Sequence, residues 1–174
     1  MKEHGVDGFV FGILDKFGNV DEHACQQLIK IADPYPCTFH RAFDQVVDPL
    51  KALETIVNLG FSRILTSGQE ESALEGAALL RELVYQSDGY ITIIGGGGVT
   101  PQNVERLILS TGLREVHGSA KKLQKCLMQK KKVNTGKTDD SYIYVSDREI
   151  VANLVKNAEN CFVRATESSN LLLK

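Results

Sequence analysis

The stretch Tyr90–Pro101, YITIIGGGGVTP, decides the fold. It opens with a short apolar run, Tyr90–Ile94, bounded by glycine. A run of this length and bounding reads as a strand buried on both faces, as in a parallel sheet. Gly95–Gly98 then break the strand, and Thr100 and Pro101 follow. Threonine can cap a helix, and proline suits its first position because no N–H is needed there. A helix is expected over Pro101–Thr111, with Gly112 as its stop. Strand, glycine turn and helix in direct succession make a β/α unit.

The same pattern extends outward in both directions. Gly8–Gly12 (GFVFG), Cys37–Phe43 (CTFHRAF) and Arg63–Ser67 (RILTS) precede it, and Glu115–Ser119 (EVHGS) follows. Amphipathic stretches lie between these runs. Asp21–Ala32 gathers Cys25, Leu28, Ile29 and Ala32 on one face. Pro49–Leu59 follows Asp48 and ends at Gly60, and Ser72–Gln86 supplies a third helix. The order β-α-β-α-β-α-β-α-β implies parallel strands joined by right-handed crossovers. Its period of about 25–30 residues suits β/α barrels and doubly wound sheets alike.

The last part of the chain is different. Lys121, Lys122, Lys125 and Lys130–Lys132 read as a helix end running into a linker. Ser141–Val145 reads as a short strand, and Ser146–Glu159 as a helix with Ser146 and Glu149 in a capping box. Cys161–Lys174 reads as weakly ordered. The expected division is 1–122 for the repeated β/α part and 123–174 for linker, short strand and helix, and tail.

Composition narrows the function classes. The 174 residues are 43% hydrophobic and 24% charged, with net charge −2, as expected of a globular chain with a real core. Such a balance gives no global field for nucleic acid, and without tryptophan base-stacking platforms are not expected. The lysine cluster is expected to be a solvated face. No apolar run approaches the ~20 residues that span a bilayer, and no signal peptide is read at the start. The expected location is therefore cytosolic. Cys25, Cys37, Cys126 and Cys161 show no C-x-x-C pair and no zinc spacing. Cys25 and Cys37 read as small buried hydrophobes, while Cys126 and Cys161, near the tail, read as more exposed. His4 and His23 read as surface residues.

In parallel α/β folds the loops beyond the carboxyl ends of strands converge, and function collects there. The second strand here ends in His40, Arg41 and Asp44. The third ends in Thr66, Ser67, Gly68 and Gln69, the fourth in Gly95–Gly98, and the fifth in His117, Gly118 and Ser119. Buried strands avoid polar residues, so this concentration at one end of each unit marks a candidate site. His40, Arg41, Asp44 and His117 are its catalytic candidates. Thr66, Ser67, Gly68, Gly96, Gly97, Gly98 and Ser119 are its ligand-binding candidates. The glycines allow close backbone approach, and a helix starting near Pro101 would aim its positive end over them. That combination suits a phosphate or carboxylate. Arg41 can clamp such a group in bidentate fashion, and His40 can serve as acid or base. The competing structural reading has Arg41 bridging to Asp44 and His40 satisfied in the core. The sequence leaves both open. An enzyme built here would run acid–base or hydrolytic chemistry at the carboxyl face.

Five segments, GVDGFVFGIL, CTFHRAFD, LGFSRILTSGQ, IIGGGGVTPQNV and REVHGSA, occur in the order and spacing of the CutC copper-homeostasis family. The chain resembles that family closely over Gly5–Lys121 and more loosely over YVSDREIVANLV. The resemblance implies a TIM-barrel fold, here an incomplete one with about five parallel strands corresponding to strands 4–8 of the eight that close a barrel. The helix read at Ser146–Glu159 adds a C-terminal helical tail, and the resemblance also implies a cytosolic location, with the nucleus as a second one. Self-association, or association with longer family subunits, is implied too, as is a role in copper handling through Cu(I). The resemblance places the cysteines proposed for copper in animal members on early strands that this chain lacks, and none of its four cysteines matches them. The chain is thus expected to be a truncated form, an isoform or a reading frame begun at an internal Met, with exposed sheet edges and either poor solubility or dependence on a partner.

Overall fold

The structure, a computed structural model, describes residues 5–125 and 142–171, the last helix with its side chains as far as Phe162. Five strands form one sheet: β1 (Phe9–Phe11), β2 (Cys37–Phe39), β3 (Arg63–Thr66), β4 (Thr92–Gly96) and β5 (Glu115–His117). All neighbours are parallel and their order is the chain order. The intervening helices are α1 (Glu22–Ala32), α2 (Pro49–Leu59), α3 (Ala77–Ser87) and α4 (Val104–Thr111). This is an open arc of a β/α barrel, with β1 and β5 as its edges.

Local chemistry explains the elements. Asp21 and Asp48 accept hydrogen bonds from the N–H groups of Ala24 and Lys51, which satisfies free donors at the starts of α1 and α2. Gly60 ends α2 with φ +90°, a left-handed conformation that a side chain disfavours. Phe39, Ile64 and Ile93 join Leu53 and Ile56 of α2, Leu80 and Leu83 of α3, and Leu107 of α4 in one core. The opposite face of the sheet carries no helix among the described residues. Val10 there is 64% exposed, and Thr38, Arg63, Leu65, Thr92, Ile94 and Glu115 are half-buried. On this face Arg63 Nε reaches over β4 to Glu115 Oε2 at 3.0 Å.

Several expected boundaries move. The second strand stops at Phe39 rather than Phe43, because a 3-10 turn, Arg41–Gln45, takes over after His40. The third helix begins at Ala77 rather than Ser72, since Ser72 and Glu75 bond to each other in a preceding turn. The fourth begins at Val104 rather than Pro101. Thr100 does not cap it. Instead the Thr100 N–H donates to Asn103 Oδ1, and Asn103 Nδ2 donates to the Gly98 carbonyl, both at 2.8 Å.

The lysine segment is not a helix end. Lys121–Lys125 forms β6, paired antiparallel with β7 (Tyr142–Ser146). The two strands make a ribbon in which Lys121 Nζ lies 4.6 Å from the centre of the Tyr144 ring. The capping box at Ser146 gives way to Asp147, whose Oδ1 accepts from the N–H groups of Glu149 and Ile150. The final helix α5 (Arg148–Leu171) runs on through most of the segment expected to be weakly ordered. It packs on α4, with Leu154 against Gly118 and Asn157 Nδ2 donating to the Pro101 carbonyl at 2.8 Å. Cys161, expected to be more exposed, is buried at 1% exposure. His4, Cys126 and Lys130–Lys132 lie outside the described residues. Among the described residues no helix is long and apolar enough to cross a membrane.

Candidate functional site at the strand ends

The turn after β2 builds the site. His40 is the N-cap of the 3-10 turn, and its Nδ1 accepts the Ala42 N–H at 3.2 Å. That bond leaves the proton of the neutral ring on Nε2. The ring leans over Gly12 at the end of β1, where an added Cβ would meet it at 3.0 Å. The expectation that the second strand carries through His40 and Arg41 is replaced by this turn, which brings Arg41 and Asp44 together at i,i+3.

Asp44 is the hub. Its side chain is only 7% exposed, and Oδ2 accepts from Arg41 Nε at 2.6 Å. Oδ1 accepts from Thr66 Oγ1 at 2.5 Å, from the Ser67 N–H at 3.0 Å and from the Gln69 N–H at 3.3 Å. The loop after β3 is thereby wrapped around one carboxylate supplied from the end of β2. Ser67 Oγ accepts from Arg41 Nη2 at 2.9 Å and donates to the Glu70 carbonyl at 2.6 Å. Thr66 Oγ1 also accepts the Gly68 N–H at 2.9 Å. Gly68, at φ +76°, packs backbone against backbone with Gly76, which leaves no room for a side chain at either position.

Gly97 closes the third side. A Cβ there would stand 3.1 Å from Ser67 Cβ and 3.5 Å from Arg41 Nη1, so the guanidinium lies against bare backbone. Gly96 faces the Cβ of His117. The structure thus brings together Arg41, Asp44, Thr66, Ser67, Gly68 and Gly97, with His40 on the β1 side and Gly98 beside Ser72. His117 and Ser119 lie at the β5 end, outside the set of hydrogen bonds that centres on Asp44. Gln69, noted at a strand end but not among the binding candidates, belongs to the site, and its Nε2 donates to the Val46 carbonyl at 2.6 Å. Sequence reading also missed the clip made by Asn103. A polar residue directly after a strand was the available signal for Gln69.

The thiols stand apart. Burial pushes the thiols of Cys25 and Cys37 above the usual range, as expected when desolvation disfavours the thiolate. Among the described residues no group of three or more His, Cys, Asp or Glu stands close enough to hold a metal ion.

A parallel β/α sheet with its polar network gathered at the carboxyl strand ends defines the chain as a β/α-barrel protein. A family model described as the CutC family matches residues 1–122, and the chain belongs to that family. It is 48% identical over 120 residues to the human "Copper homeostasis protein cutC homolog", covering 69% of this chain and 44% of that one. It is 40% identical over 154 residues to the Caenorhabditis elegans protein of the same description, covering 88% and 61%. A solved structure of the putative copper homeostasis protein CutC from Streptococcus agalactiae superposes with TM-score 0.64 at 35% identity, over 67% of this chain and 58% of that one. The chain spans about half the length of the curated relatives it matches.

Proposed function

We propose that the chain takes part in copper homeostasis by handling Cu(I), with the strand-end rim as its working surface. Kinship supports the copper role, since its relatives carry that description. The observation that carries the choice of surface is the Asp44-centred network, which fixes charged side chains at the converging ends of β2, β3 and β4. Cu(I) favours soft thiolates and also accepts imidazole. Buried, protonated Cys25 and Cys37 are poor first contacts, and His40 commits its Nδ1 lone pair to the Ala42 N–H, so the exposed His117 is the rim group an arriving ion would meet. The cytosol, where thiols stay reduced, suits this role. Anaerobic titration of the chain with Cu(I) against a weak chelator tests it. Uptake that falls in a His117→Ala variant is the expected result. No uptake by the folded chain removes the reading.

A second reading, a binder or enzyme for a small phosphate- or carboxylate-bearing ligand, is favoured by the placement of Arg41 against Ser67 and Gly97.

A further inference from the structure

We infer that Arg41 anchors a binding site for a small oxyanion, a phosphate or carboxylate group, between the ends of β2, β3 and β4. This deepens the second reading above and is independent of copper.

The guanidinium carries five N–H donors. Nε donates to Asp44, and Nη2 donates once to Ser67. Those two bonds set the plane of the group and leave both Nη1 hydrogens and one Nη2 hydrogen without an acceptor among the described residues. The side chain as a whole is 47% exposed, so a ligand can reach it from solvent. Two N–H groups on one edge match the two oxygens of a carboxylate or phosphate. The positioning is rigid because Asp44 is itself saturated by Thr66, Ser67 and Gln69. An anion therefore does not have to compete with a mobile carboxylate.

The floor of the site is backbone. Gly97 has φ +118° and presents no side chain between the guanidinium and the β4 turn. Beyond it, the N–H groups of Gly98 and Val99 donate to no backbone carbonyl among the described residues. Asn103 holds that turn in place by accepting from Thr100 and donating to Gly98. Of the acidic groups in these loops, Asp44 is engaged as above and Glu75 bonds to Ser72, while the exposed Glu70 and Glu71 follow Ser67 on the same loop.

The test is calorimetric titration of the full chain with inorganic phosphate and, separately, with acetate, at low ionic strength. The wild type should bind at least one of the two, and the stronger of the pair names the group. Arg41→Ala should weaken it about 10- to 100-fold, the usual worth of a charge-assisted hydrogen bond expressed as affinity. Arg41→Lys, which keeps the charge and loses the fork, should recover only part of this. Ser67→Ala, which frees Nη2, should weaken binding without abolishing it. Circular dichroism verifies that each variant is folded. Unchanged affinity in folded Arg41→Ala and Arg41→Lys overturns the inference, as does absence of both phosphate and acetate binding in the wild type at millimolar concentration. Running the Cu(I) titration on the same preparations separates the two proposals, because copper uptake with no anion binding sinks only this one.

Discussion

At the scale of single residues, Asp44 does the work of several. One carboxylate takes donors from its own turn and from three residues of another loop, counting the Thr66 hydroxyl. Thr66 is fully buried, and its hydroxyl both donates to Asp44 and accepts from the Gly68 N–H. Thr66→Val keeps the shape and removes both bonds, leaving the Gly68 N–H without its acceptor. It should cost about 1–3 kcal/mol, read as a lower urea midpoint, while Thr66→Ser should cost less. A Thr66→Val chain as stable as wild type would mean that water replaces both bonds.

At the scale of elements, the stop of α2 offers a clean measurement. Nothing lies within 4 Å of a Cβ added at Gly60, so Gly60→Ala reports backbone strain alone. The expected loss is about 1–2 kcal/mol, visible as a lower melting temperature, and Gly60→Asn should lose less. The Asp48–Pro49 start and Gly60 stop were legible in the sequence because both act within a few residues of chain. The β6–β7 ribbon was not. Every residue of β6 is exposed and most are charged, so it lacks the apolar alternation by which strands are recognised. Its partner, Tyr142–Ser146, lies far along the chain. The site divides in the same way. That Arg41, Ser67 and Gly97 share a rim follows from their places at strand ends. The wrapping of the β3 loop around Asp44 does not, because it depends on the 3-10 turn that replaces the end of β2.

At the scale of the whole molecule, the arc has two free edges and one face without helices among the described residues. Among the described residues no further strand pairs with the outer side of β1 or of β5, and such edges leave backbone groups open to a partner. We expect the purified chain to associate with itself or with longer family subunits, with an apparent mass in light scattering that rises with concentration. A strictly monomeric chain with a sharp, cooperative thermal transition would contradict this.

The Arg63–Glu115 pair sits on that helix-free face, with each side chain 39% exposed. Wet ion pairs weaken as electrolyte rises, and dry ones scarcely respond. The pair is thus a built-in hygrometer for the helix-free face. If another protein surface comes to lie across it, the ionic-strength sensitivity that this pair lends to stability should fade. That fading would register the covering even where no contact has been mapped.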